Sequence, residues 1–175
     1  SSTSRGLGDV YKRQRLLSEK QSVWDVIDAG TTMRFCTAYL AIMGSGEIIT
    51  GSDRMKERPI KLLVDALRRL GAKIDYLAQE GFPPLRISAQ KNDTNAQEIS
   101  IPGNISSQYI SALLMIGPTL PDGISIELTG EIFSRPYIEM TLALMHHFGV
   151  NSTWKDQTLH IKPQRYKAQS YTIES

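Results

Sequence analysis

At 175 residues, with 41% apolar and 22% charged positions, the chain has the composition of an ordinary globular protein. It is long enough for one domain with a sizeable core or for two small repeated subdomains. A net charge of +2 is too small to argue for a nucleic acid or an anionic membrane as partner. The single cysteine, Cys36, allows no internal disulfide and fits a reducing compartment, and no apolar run approaches the roughly 20 residues of a membrane span.

Residues 1–14, SSTSRGLGDVYKRQ, lack helix or strand periodicity, and DVYKRQ reads as translated sequencing adapter; a flexible natural arm would read the same way. They are set aside from the fold. Ser22 to Ile27 then reads as a strand, followed by the turn Asp28-Ala29-Gly30-Thr31-Thr32 and an apolar helix from Met33 to Met43, with Asp28 or Thr31 as cap. Gly44-Ser45-Gly46 follows a helix, so it reads as a C-cap and turn rather than a phosphate cradle. Glu47 to Thr50 is the next strand. The run TGSDRMKERPI then carries Arg54, Lys56 and Arg58 into a helix from Pro59 to Leu70, since proline suits a first helical turn. That helix gathers Leu62, Leu63, Ala66, Leu67 and Leu70 on one face and closes at Gly71. Lys73 to Leu77 and Leu85 to Ser88 are strands around Gly81-Phe82-Pro83-Pro84.

Lys91 to Gln97 is the most polar stretch and reads as a junction, so the first unit spans 15–90 and the second 91–163. The second unit repeats the grammar. Glu98 to Ile101 is a strand, Pro102-Gly103-Asn104 a turn, and Ser106 or Ser107 caps a helix running to about Ile116. Ile124 to Leu128 is a strand, Thr129-Gly130 a turn, and Pro136 to Phe148 a helix. Asn151 to Lys155 and Thr158 to Lys162 form a hairpin. Each unit is strand, helix, strand, helix, strand, strand, which argues for duplication. Residues 164–175 read as the start of a following strand or crossover, so the chain is expected to be an internal fragment.

Each unit places two helix N-termini beside small or hydroxylic residues, and two of those four turns carry arginine. The pattern suits a ligand with several anionic groups. No Walker loop, GxGxxG, HExxH or CxxC is present, so no cofactor or metal is expected.

The segments DAGTTMRF (Asp28 to Phe35), TGSDRMKERPI (Thr50 to Ile60), GNISSQYISALL (Gly103 to Leu114) and SRPYIEMT (Ser134 to Thr141) resemble the enolpyruvylshikimate-phosphate synthase family, over essentially everything from Val23 onward. The resemblance implies an α/β enzyme of two domains, each made of three βαβαββ units in an inside-out α/β barrel, with two of the three units of the N-terminal domain present here. It implies transfer of the enolpyruvyl group of phosphoenolpyruvate to the 5-hydroxyl of shikimate 3-phosphate, with loss of phosphate, by a cytoplasmic and monomeric parent enzyme. Small-molecule substrates are the expected partners, with no nucleic acid and no membrane.

Carried over by residue, Ser106, Ser107, Gln108, Ser134 and Tyr137 are expected at shikimate 3-phosphate, and Gly30, Arg54 and Gln108 at phosphoenolpyruvate. Thr31 marks the neighbourhood through which glyphosate sensitivity is altered in the family. Asp28, Thr32, Phe35 and Arg135 depart from residues common there, Arg135 keeping the charge. No catalytic acid or base is expected within the chain, because the family places those groups in segments it does not contain. Two alternatives remain beside this reading: an enzyme like UDP-N-acetylglucosamine enolpyruvyl transferase, whose cysteine lies in a loop, and a non-catalytic anion-binding repeat module.

The residues also have plainer readings. Arg54 could pair with Asp53 or Glu57 at the surface, Arg34 and Arg58 could tie helix ends together, and Ser106 and Ser107 could be caps alone. Ser134 and Tyr137 could be a cap and a half-buried aromatic. His146 and His147 suit the negative end of a helix dipole, and Cys36 suits a core.

Overall fold

The computed structural model describes residues 22–88 and 98–173. The segment 1–14, the junction Lys91 to Gln97 and the final Glu174 and Ser175 lie outside the described residues. In chain order the first unit comprises β1 (Val23–Asp25), α1 (Gly30–Met43), β2 (Ser45–Thr50), α2 (Asp53–Lys56), α3 (Lys61–Arg69), β3 (Lys73–Tyr76) and β4 (Leu85–Ser88). The second comprises β5 (Glu98–Pro102), α4 (Ser107–Ile116), a 3-10 turn at Gly117–Thr119, β6 (Ile124–Thr129), α5 (Arg135–His147), β7 (Thr153–Lys155) and β8 (Thr158–Ile161).

Each unit forms a four-stranded sheet, in the orders β1-β2-β4-β3 and β5-β6-β8-β7. The first two strands of each sheet are parallel and the remaining pairs antiparallel. A parallel pair needs a crossover and an antiparallel pair accepts a hairpin, so one helix per unit sits between the parallel strands. The same topology twice in succession is the expected duplication.

Alternation builds the sheets. In β6, Ile124, Ile126 and Leu128 face the core while Glu127 faces solvent. Helix α4 is different: Tyr109 to Leu114 and Ile116 are all buried. It packs against α1 of the first unit on one side and α5 on the other. A helix apolar around its circumference belongs in an interior, and here it fuses two small units into one core. Its one buried hydroxyl in mid-helix, Ser111, is satisfied by Thr141 of α5 at 2.7 Å.

Several boundaries differ from the expectation, each for a local reason. Helix α1 starts at Gly30, not Met33, with Ala29 at its N-cap and no side-chain cap. Neither Asp28 nor Thr31 caps it, because Asp28 instead accepts a hydrogen bond from Ser52. Pro59 is not helical: Ile60 is the N-cap of α3 and the helix begins at Lys61. The cationic run forms its own short helix, α2, capped by Ser52, whose Oγ accepts from the Met55 amide at 3.2 Å. Leu62 is 46% exposed, one position off the buried stripe of Leu63, Ala66, Leu67 and Leu70. β1 ends at Asp25, whose carboxylate accepts from the Ile27 amide at 2.9 Å as the chain turns.

Beyond β8 the described residues form no strand. They run as a strap pinned by Gln164 N to Pro118 O (2.9 Å), Tyr166 Oη to Met115 O (2.8 Å) and Lys167 N to Phe148 O (2.8 Å). Burial pushes the Tyr166 hydroxyl up to about 12 from its ordinary 10.0.

Two outcomes follow from this packing. Leu113→Ala, at a site with no solvent exposure, lowers stability by about 2–5 kcal/mol in urea denaturation, whereas Leu62→Ala changes it by less than about 0.5 kcal/mol. The raised Tyr166 pKa means that the unfolded chain loses this proton first, so its contribution is intact below pH 10 and declines as pH rises toward 12. Denaturation midpoints of Tyr166→Phe should therefore fall less steeply above pH 10 than those of the parent chain.

Candidate substrate-binding site

The N-terminal turn of α4 carries the first group of expected site residues. Ser106 is its N-cap and its Oγ accepts from the Gln108 amide at 3.4 Å, so capping is a role it does play. Ser107 and Gln108 are partly exposed beside it. The Gln108 side chain crosses to the first unit, where Nε2 donates to Thr31 Oγ1 at 3.0 Å. Thr31 stands in the first turn of α1. Two helix N-termini from two units are thus joined at one point, where free amides and dipole ends favour an anion.

The loop leading into α5 is mounted on the same platform. The Gly103 amide donates to Thr129 O at 2.7 Å, and the Phe133 amide donates to Gly103 O at 3.3 Å. A Cβ on Gly103 would stand 2.9 Å from Glu131 O, so only glycine allows the β5–α4 and β6–α5 loops to approach this closely. Ser134 occupies the N-cap of α5 but its side chain makes no cap bond. Tyr137, in the first turn of that helix, is 62% exposed.

A cleft of about 910 Å³ opens at this junction. Thr31, Ser106, Ser107, Gln108 and Tyr137 form its polar part, and Phe35, Met115, Met140 and Leu144 supply much of its apolar wall. Ser134 is not among the lining residues. His147 does line it, with Nε2 3.0 Å from Ser170 O and its ring edge-on to Tyr171. Its position at the end of a helix gave no signal of that placement.

Gly30 marks the second group. Arg34 Nη1 donates to Gly30 O at 2.8 Å. A Cβ at Gly30 would stand 2.6 Å from that nitrogen and 2.5 Å from Nη1 of Arg58, so two guanidinium groups lie against its Cα. Arg34 is only 6% exposed and its Nε is buried without a partner. No ion pair to a carboxylate forms at either arginine among the described residues. Buried or crowded cations without counter-charge make a spot that an anion would stabilise.

Arg54 behaves differently. It lies exposed on α2, while the atoms nearest a Cβ at Gly30 belong to Arg58 and Arg34. In the sequence, Arg34 and Arg58 look structural. The available signal was their spacing: Arg34 is four residues beyond Gly30, where one helical turn returns its side chain to the Gly30 carbonyl. Cys36 lies within α1, partly buried, and burial raises its thiol pKa, which favours the protonated, unreactive form.

Among the described residues no group of three or more His, Cys, Asp or Glu could hold a metal ion, and no helix is long and apolar enough to cross a membrane. The cleft carries hydroxyl and amide donors, with neither a carboxylate nor a lysine or arginine among its described lining residues; the guanidinium groups of Arg34 and Arg58 lie at Gly30, next to the lining residue Thr31.

Residues 8–175 match the family model for EPSP synthase (3-phosphoshikimate 1-carboxyvinyltransferase). That match begins inside the segment 1–14. A 3-phosphoshikimate 1-carboxyvinyltransferase of Bacteroides fragilis is 52% identical over 168 residues, covering 95% of this chain and 40% of the relative. One from Histophilus somni is 46% identical over 175 residues, covering 97% of the chain and 39% of the relative. The chain therefore spans about 40% of the length of these relatives. Among solved structures, an EPSP synthase from Acinetobacter baumannii superposes with a TM-score of 0.70 at 20% identity, over 83% of this chain and 31% of that one, a likeness of fold. With the duplicated βαβαββ topology and these matches together, the chain belongs to the EPSP synthase (3-phosphoshikimate 1-carboxyvinyltransferase) family.

Proposed function

We propose that the chain forms part of the substrate site of a 3-phosphoshikimate 1-carboxyvinyltransferase, which moves the enolpyruvyl group of phosphoenolpyruvate onto the 5-hydroxyl of shikimate 3-phosphate and releases phosphate. The observation that carries this reading is the junction of two helix N-termini through Gln108 and Thr31, with the guanidinium groups of Arg34 and Arg58 one residue away at Gly30. Ser106, Ser107, Gln108, Ser134 and Tyr137 receive shikimate 3-phosphate. The hydroxyls and the amides of the α4 turn donate to its phosphate and ring hydroxyls. Gly30, with Arg58 and Arg34 beside it, receives the carboxylate or phosphate of phosphoenolpyruvate, and Arg54 adds charge from α2. Gln108 touches both substrates because it already spans both units.

The chain's part in the reaction is binding and orientation. Holding the 5-hydroxyl near the enol carbon makes a bimolecular step effectively unimolecular, and fixed cations stabilise the charge on phosphate as it departs. Protonation of the methylene carbon and removal of the hydroxyl proton need an acid and a base, which fall to residues outside the described cleft. The exposed apolar side chains Met140 of α5 and Met43 at the far end of α1, 63% and 64% exposed, belong to surface that a third βαβαββ unit would cover. Such a protein works in the cytoplasm as a monomer on small-molecule substrates.

Calorimetry on the chain tests this reading. Shikimate 3-phosphate binds, Gln108→Ala weakens it by roughly tenfold through loss of one hydrogen bond to a charged group, and raising ionic strength weakens both. Incubation with both substrates releases no phosphate above background. Binding unaffected by Gln108→Ala, or turnover by the chain alone, would count against the assignment.

A further inference from the structure

Tyr109 follows Gln108 on α4 but points the other way, into the seam between the two units, where it is 8% exposed. Its hydroxyl donates to the carbonyl of Pro59 at 2.6 Å. Pro59 is the residue after Arg58, whose guanidinium lies against Gly30. The ring of the same tyrosine lies under the Arg34 guanidinium, with 5.5 Å from Cζ to the centroid. One side chain of the second unit thus reaches the supports of both cations of the first.

The segment between α2 and α3 is held at three points. The Arg58 amide donates to Met55 O at 3.1 Å, the Ile60 amide donates to Gly81 O at 2.8 Å, and Pro59 O accepts from Tyr109. The first two anchors are internal to the first unit. Only the third ties the segment to α4. An arginine on a loosely held backbone spreads its charge over many positions, and ordering it costs binding free energy. Fixing the backbone beside it removes part of that cost before the ligand arrives.

We propose that Tyr109 is a positioning residue: by holding the Pro59 carbonyl it sets Arg58 against Gly30, and so couples the α4 turn bearing Gln108 to the anion subsite of the first unit. The geometry stands on its own, and naming phosphoenolpyruvate as the anion rests on the proposed function. Occupation of the α4 turn and readiness of Arg58 are then linked through adjacent residues of one helix.

The test compares the chain with its Tyr109→Phe variant, which keeps the ring beneath Arg34. Arginine Nε–H resonances are recorded without ligand, then phosphoenolpyruvate and shikimate 3-phosphate are titrated separately. In the variant the Arg58 Nε–H signal moves toward the position of a free arginine. Affinity for phosphoenolpyruvate falls roughly three- to tenfold, the worth of one buried hydrogen bond, while that for shikimate 3-phosphate changes by less than about twofold. An unmoved Arg58 signal overturns the proposal, as does an equal loss for both ligands, which would mark general loosening of α4. If neither ligand binds the parent chain, the proposed function fails, and the ligand-free Arg58 signal alone decides this inference. Should the variant not fold, the parent chain still answers: a slowly exchanging Tyr109 hydroxyl proton with cross-peaks to Pro59 upholds the anchor, and its absence overturns it.

Discussion

Helix α4 is buried almost all the way round, and the rest of the molecule is arranged to satisfy that constraint. Neither four-stranded sheet alone could cover it; α1 of one unit and α5 of the other must close on it together. Its backbone is satisfied internally along its length, but its first turn has amides with no partner inside the helix. Those amides, with Ser106, Ser107 and Gln108, are therefore the polar face that the most apolar element presents. The place where the core ends is the place where a charged ligand can be recognised.

The seam between the units decides how charge is distributed there. Gln108 crosses it to Thr31 and Tyr109 crosses it to Pro59, so consecutive residues of α4 each grip a different segment of the first unit. On the first-unit side, Gly30 lets two guanidinium groups approach its Cα. Arg34 is held by the Gly30 carbonyl and the Tyr109 ring rather than by a carboxylate, and Arg58 has no carboxylate partner among the described residues, which leaves positive charge available to a ligand. The exposed ion pairs, such as Lys61 with Glu80 and Arg135 with Glu139, involve neither Arg34 nor Arg58, and pairs of that kind contribute little to stability.

Much of this was legible in the sequence because periodicity reports burial directly. The strand alternation of Ile124, Ile126 and Leu128, the glycines ending the helices, and the repeated order of elements all carry short-range causes that a sequence displays. Ser106 as a cap was equally local. The proline of RMKERP misled, because proline fits both a first helical turn and the residues just before one; the tertiary bond from Tyr109 to the Pro59 carbonyl holds it outside. Arg58 and Arg34 were set aside for a related reason. Which of several arginines reaches Gly30 depends on how α2 separates from α3, and that follows from the Ser52 cap and its bond to Asp28, a contact 24 positions apart in sequence. His147 in the cleft depends on the path of the strap after β8, which no local pattern foretells.

If one site straddles the two duplicated units and is already assembled in this chain, both units must respond to a ligand together. An amide-resolved NMR titration with shikimate 3-phosphate, run beside UDP-N-acetylglucosamine and plain phosphate, tests it most directly. Shifts are expected at Ser106 to Gln108 and at Ser134 to Tyr137 together with Gly30 and Thr31, with one common saturation curve and with shikimate 3-phosphate alone. An identical map from plain phosphate, or a response confined to one unit, would contradict it.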